Sequence, residues 1–511
     1  MMRLFKWILC AGLLASGLGE TRAFSLLGRF KDAANGAPIP WQGPGFGGQP
    51  QGLGYELLGD AGGPMSALEG YRWNVPVITY AFDSTFLRYF GTNGVNAVEE
   101  AIAILNALPP ASSMSASLSE FALDTKGVNF TAATLGLLDV KSIALAHLVE
   151  QMGLANPERF VWALRDRRTP TGATNYSVIQ LNYDPATVQE SSYVNGVLYN
   201  YRIFDALGPR GNEWASAVEW YQLDPLYLPY TSVAGGLEIP DFQLGSSPDD
   251  LGFTVTGLAS GEFFRGLTRD DAGGLRFLLS TNNFAVEGLL PDVFPSAKFS
   301  GGGSPWNPFP GFTNATGTNI VVITNGVGTN FVRTALRQGR DKITFQRVNF
   351  DSLLGSTFTI LTNRYKDTFI SAAGRVVSQR AERVSFQPDI VFAVGDLGTD
   401  GILALPFLTR RSSANGWSNN IALNTSVPGG ALALGGPGVI TPGILITFSD
   451  LVPYFANDVP GDQDSTGARG ILWGSFDGTT QPPVVYPAFA HPLFPNLSLQ
   501  YLQSLALRRK P

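Results

Sequence analysis

The chain has one cysteine and two histidines in 511 residues. The cysteine, Cys10, lies in an apolar stretch at the N-terminal end, so once that stretch is removed neither a disulfide nor a thiolate zinc site remains open to the chain. With only His147 and His491, a Ser-His-Asp triad would have to use one of these two. Charge is also scarce, 15% of residues against the usual quarter. The net charge of −6 gives no reason to expect a nucleic-acid partner, because phosphate binding needs clustered Lys and Arg. There is no G-x-S-x-G elbow, no Walker A motif and no fixed-period repeat. After the first two dozen residues no apolar run is long enough for a transmembrane helix.

What is present begins with an export signal. Arg3 and Lys6 form a short positive region, residues 7–18 are mostly apolar, and Thr21-Arg22-Ala23 gives a cleavage site before Phe24. The residues before Cys10, Trp7-Ile8-Leu9, fit a lipid-attachment signal poorly. The expected location is the periplasm or cell surface of a Gram-negative bacterium. Gly (59) and Pro (34) are abundant and hydrophobic residues make up 44%, which points to packed cores with much β structure between Gly-rich turns.

Residues 24–70 are rich in Gly, Pro and Gln and read as an extended lead-in. Arg72 to Phe82 alternates as a strand, and Thr92 or Asn93 caps an expected helix with Val95, Val98, Ile102 and Leu105 on one side. Asp139 caps a further helix with Leu145, Leu148, Val149 and Met152 on its buried face. Gly153 suits its C-terminal turn, and Asn156-Pro157 opens a second helix. Thr268 caps a third, with Asp270 and Asp271 at the positive end of its dipole.

Three of these segments resemble the matrixins, a branch of the metzincin metallopeptidases. Trp73, Tyr80-Ala81-Phe82 and Leu105-Asn106 occupy places similar to the opening of that catalytic domain. AHLVEQMGLAN, residues 146–156, has the layout of the zinc helix HExxHxxGxxH, and residues 267–279 resemble the closing helix. Gly257 to Ser260 sits where the Met-turn would be, without the methionine. The resemblance implies a metzincin-like domain over residues 71–290. It places zinc-ligand positions at Ala146, Glu150 and Asn156, and puts His147 at the catalytic glutamate. None of the three positions is histidine; Ala cannot ligate, and Asn is a poor zinc ligand beside His or Cys.

About a hundred residues separate Gly153 from the Met-turn counterpart, a β-rich insertion at about 170–250. It holds an expected strand at 178–183, a type I′ hairpin at Asn195-Gly196, and the aromatics Trp214, Trp220, Tyr221, Tyr227 and Tyr230, which would line a ligand cleft or fill a core. A linker at 291–318 precedes an expected all-β, sandwich-like domain at 319–511, with strand candidates at 320–323, 343–348, 390–394 and 444–448. The oxygen-rich loops 396–401 and 462–464 lack EF-hand spacing and read as turns rather than calcium sites. His491 reads as a loop residue.

The fold class expected is therefore α+β: a metzincin-like domain with a large β-rich insertion, then a sandwich. His147 and Glu150 are three apart on one side of a helix. A rearranged metal site would use both, with Glu158 or an insertion carboxylate as third ligand. The competing reading is a His–Glu hydrogen bond where a zinc site once stood, and it is favoured because two ligands do not hold zinc firmly. No cofactor is expected; zinc and calcium are the ions for which partial donor sets exist. The expected function is non-catalytic binding or structural work with a protein or glycan ligand. The alternatives are a metalloendopeptidase with an atypical site, and carbohydrate binding or adhesion. A glycosidase needs only two facing carboxylates, and the 41 acidic residues offer too many pairs to choose from.

Overall fold

The computed structural model describes residues 23–27, 64–65, 67, 71–168, 175–206, 214–222, 232–236, 258–296, 331–350, 360–371, 373–395, 407–411, 417–419, 438–450, 472–488 and 498–508. The class is mixed α+β with β-rich parts. The elements that position the site are, in chain order, β1 (Ser25–Leu27), β2 (Val77–Phe82), α1 (Ser84–Asn106), α2 (Val140–Gln151), β3 (Leu154–Ala155), α3 (Arg269–Leu279), β4 (Thr344–Arg347), β5 (Ile390–Gly395), β6 (Phe407–Arg411), β7 (Ile444–Ser449) and β8 (Leu472–Ser475).

A five-stranded sheet in the order β4-β2-β5-β7-β6 forms the centre. Its first four strands are parallel and β6 runs antiparallel at the edge. Parallel strands buried on both faces read as short apolar runs, which is how VITYAF, IVFAVG and ILITFS are written. α1 lies against this sheet. Asp83 caps it by accepting from the Thr85 and Phe86 N–H groups at 2.9 and 3.0 Å. Phe86 and Phe90 then meet Phe448 of β7 at ring separations of 5.8 and 5.5 Å. The apolar face expected along the helix, Val95, Val98, Ile102 and Leu105, is buried.

The helix starts earlier than the expected cap at Thr92 or Asn93. Thr92 and Asn93 lie inside it, just past a break at Gly91, where φ is +58°. Only a residue without a Cβ adopts that conformation readily, so one helical stretch hands over to the next there. The expected strand from Arg72 to Phe82 is also divided, into Tyr71–Arg72 and β2. Pro76 between them carries no N–H for a ladder.

The expected sandwich at 319–511 needs a larger correction. The candidates at 343–348, 390–394 and 444–448 are strands, while 320–323 lies outside the described residues. They do not form a sandwich of their own. β4 and β5 flank β2 on either side in parallel, Thr344 opposite Val77 and Ile390 opposite Tyr80. One hydrophobic core runs from Phe24 to Tyr486 across the expected boundary. The physical reason is edge satisfaction: β2 alone would leave both of its hydrogen-bonding edges unpaired.

A second five-stranded sheet, all antiparallel, is built from Phe284–Gly288, Thr334–Gln338, Leu361–Ile370, Val376–Ser385 and Val293–Pro295. Buried ion pairs tie it to the strand Tyr71–Arg72 and to the central sheet. Arg72 Nε donates to Glu287 Oε1 at 2.6 Å, and Arg383 donates to Asp389 at 2.5 and 3.0 Å. Asp389 in turn accepts from the Thr79 N–H of β2 at 2.7 Å. Within the sheet, Arg337 and Arg340 share the fully buried Asp367.

Candidate functional site

The zinc-helix counterpart is α2. Asp139 caps it as expected, its Oδ2 accepting from the Ser142 N–H at 2.9 Å and the Ser142 hydroxyl at 2.5 Å. Trp73 Nε1 donates to the Gln151 carbonyl at 2.9 Å near the other end. Gly153 follows with φ +109°, and a Cβ there would lie 2.2 Å from the Tyr71 carbonyl oxygen. Asn156 caps the short helix Pro157–Phe160 through its Oδ1, which accepts from the Glu158 N–H at 2.9 Å.

Burial is where α2 departs from expectation. The sequence predicts one apolar face, yet among residues 140–149 only Lys141 escapes full burial. A helix apolar on every side belongs inside a core, and α2 is packed against α1, β3, β8 and the strand Glu262–Phe264.

Ala146 is fully buried beneath Ser232–Gly236, and a Cβ on Gly236 would lie 2.9 Å from the Ala146 methyl. His147 is 2% exposed and faces the aromatic wall of the central sheet, its ring 6.3 Å from that of Phe448. Phe448 stacks edge-on to Trp473 of β8 at 5.2 Å. Glu150 is half-buried, and the Asn156 side chain is committed to its cap. Ala146 and His147 therefore contact different surroundings, a loop and a sheet. Among the described residues no group of three or more His, Cys, Asp and Glu is arranged to hold a metal. His491 and the loops at 396–401 and 462–464 lie outside the described residues.

Sequence reasoning missed the segment Ser232–Gly236, which is buried throughout and sits over the first ligand position. It is held by α3. Asp271 accepts from the Ser232 hydroxyl and the Val233 and Ala234 N–H groups at 2.9–3.0 Å, while closing a capping box with Thr268. Glu158 Oε1 accepts from the Ser232 N–H at 3.1 Å. The signal that existed was the Asp-Asp pair opening α3; what it would hold was not written locally.

The buried carboxylates carry unusual proton affinities. Desolvation raises Asp139 to about 6, against the lowering effect of its bonds from Ser142. Asp270 is raised well above the usual carboxylate range, first by desolvation and further by the charges of Asp271 and Glu158, against bonds from the Asn195 and Ala23 backbone.

In the insertion, the hairpin at Asn195-Gly196 has both central φ values positive, 44° and 85°, as a type I′ turn requires. It pairs Val194 with Val197. The expected strand at 178–183 lies at Asn175–Ile179, four residues of it beyond the observed end. The long strands Val197–Ala206 and Trp214–Gln222 follow, and the Trp162 ring lies tilted against that of Tyr201, centroids 4.9 Å apart. Tyr227 and Tyr230 lie outside the described residues.

No family model matches the chain, and no curated protein or solved structure shows significant similarity to it. Among the described residues no helix is long and apolar enough to cross a membrane.

Proposed function

We propose that this is an exported, matrixin-like protein that has given up catalysis and serves a binding or structural role in the periplasm or at the cell surface. One observation carries the reading. The first ligand position is a methyl group covered by the buried Ser232–Gly236 segment, while His147 is turned into the aromatic core. A hydrolytic zinc site keeps three protein ligands around an open position for water. A general base must also reach the proton it removes. A buried helix with a covered methyl at the first ligand position and a capping Asn at the third meets neither demand.

The test is metal content and peptidase activity of the pure mature chain. Zinc well below one per molecule after dialysis, and no chelator-sensitive cleavage of a generic peptide substrate, is the expected result. Stoichiometric zinc with chelator-sensitive cleavage would establish the atypical metalloendopeptidase instead.

A further inference from the structure

The lead-in reads as extended, yet its first residues are among the most buried of those described. Ala23 to Leu27 are 0–3% exposed. β1 pairs with β3 on one side, and Phe24 pairs with Tyr183 on the other, exchanging backbone hydrogen bonds of 3.0 and 2.8 Å. The Phe24 ring lies along α3, 5.2 Å from the Phe277 ring, and a Cβ on Gly274 would lie 3.0 Å from the Phe24 Cβ. One turn back along α3 stands Asp270, and the Ala23 backbone N–H is directed at its carboxyl. Chain ends are poorly ordered unless something ties them down. Here the stretch beside the expected cleavage site is fastened on both edges and underneath.

Among the described residues the Asp270 carboxyl has no charge partner. It is fully buried, Oδ2 accepts from the Asn195 N–H at 2.6 Å, and Oδ1 has no hydrogen-bond partner among the described residues. Asp271 is buried beside it. Among the described residues no lysine or arginine is paired with either. Burying a carboxylate without a cation is costly, and a missing partner leaves that cost uncompensated. An α-ammonium is a cation with three donors, and cleavage before Phe24 creates one a single residue, about 3.8 Å of chain, from Ala23.

We infer that leader removal completes the fold: the α-ammonium of Phe24, freed by hydrolysis of the Ala23–Phe24 peptide bond, occupies the space Ala23 leaves and pairs with the buried Asp270 carboxylate. Before cleavage a neutral amide N–H faces that carboxyl. After cleavage a full positive charge faces it, beside the Tyr183 carbonyl that already accepts from the Phe24 nitrogen. The unprocessed chain is the less stable form. This rests on the export reading and not on the loss of catalysis, so the metal and peptidase assay does not bear on it.

The experiment compares two forms of the chain. One is the naturally processed protein from the periplasm; the other keeps Thr21-Arg22-Ala23 ahead of Phe24. Intact mass fixes the processed start, and a start at any residue other than Phe24 overturns the inference. At pH 7 the processed form should melt several degrees above the extended one. The pairing raises the ammonium above its usual value near 8, so the advantage is present at pH 7 and persists downward until the Asp270 carboxyl takes up a proton. It fades as the pH climbs through the raised value. Equal melting at pH 7, or a gap unchanged up to pH 10.5, refutes the pairing. Asp270→Asn should close the gap; a gap that persists in that variant also refutes it. Should Asp270→Asn not fold, the pH profile of the two wild-type forms decides alone.

Discussion

The ring of His147 stands edge-on to the ring of Phe448, centroids 6.3 Å apart and planes at 71°. That contact sets the histidine against Phe448, which itself touches Phe86, Phe90 and Trp473, so packing is part of its work. His147→Ala should therefore lower stability by about 1–3 kcal/mol, from a cavity and lost ring contacts. His147→Gln should be milder. Neither change should alter a binding activity measured on the folded protein. Thermal melts and a binding assay on the same variants check this, and a fully stable but inactive His147→Ala protein contradicts the scaffold reading.

Gly153 is the one residue of the zinc-helix layout whose identity this chain enforces by geometry. Its φ is +109°, and a Cβ would lie 2.2 Å from a backbone oxygen, which cannot swing aside as a side chain does. Gly153→Ala should cost more than about 3 kcal/mol or prevent folding. Gly288→Ala, where a Cβ meets nothing within 4 Å, is the control and should be nearly neutral. Similar melting temperatures for the two variants would show that the Tyr71 backbone yields.

What was legible in the sequence was local. Asp139, Asn156 and Thr268 announce helix starts because a cap needs only a short polar side chain and the next three residues. Asn195-Gly196 announces its turn for the same reason. The sheet order was not legible. An apolar run such as ILITFS is compatible with a sandwich strand or a parallel central strand, and only the partner decides. The residues covering Ala146 were hidden because Gly236 lies ninety positions away and carries no side chain to advertise the contact. Asp83 is hidden as a cap because the helix it opens is broken at Gly91, which makes the later start look complete.

Asp139 should leave a mark on the pH dependence of stability. Burial raises its carboxyl to about 6, above the usual aspartate value near 4. The folded chain thus binds this proton more tightly than the unfolded chain, and folding takes up a proton between those values. Stability from this group is fully present below about pH 4 and is lost as the pH rises to about 6. The loss is on the order of 2–3 kcal/mol. Asp139→Asn keeps an oxygen for the Ser142 N–H and has nothing to titrate. Urea denaturation of both proteins at pH 4, 5, 6 and 7 should show the wild type losing ground to the variant across that window. Parallel curves would mean that the carboxyl titrates alike in the folded and unfolded chain and that burial does not raise it.

Asp367 should be among the least replaceable acids of the second sheet. It is fully buried and shared by Arg337, 1% exposed, and Arg340, at 3.0 and 3.1 Å. Asp367→Ala leaves a buried guanidinium uncompensated, a cost of about 3–5 kcal/mol. Replacing Arg337 and Asp367 together by Met and Leu should recover much of that loss, since the charges leave as a pair. A double variant no better than Asp367→Ala would show that Arg340 alone accounts for the penalty.

The two halves of the chain should prove inseparable. β2 takes its hydrogen-bonding neighbours, β4 and β5, from beyond residue 343. α1 rests on Phe392 and Phe448, which come from the same half. A chain ending at residue 330 would leave both edges of β2 open and the faces of Phe82, Phe86 and Phe90 bare, conditions that favour aggregation over folding. A single protease site introduced between residues 299 and 318 separates this from a two-domain arrangement. After complete cutting, the pieces should elute together in native buffer and part only in denaturant, because one sheet and one core hold them. The piece ending at that cut, prepared alone, should bind a hydrophobic dye and melt without a cooperative transition. Separation of the pieces in native buffer, with the N-terminal piece melting cooperatively by itself, would mean that the shared sheet contributes little and that the metzincin-like segment folds independently.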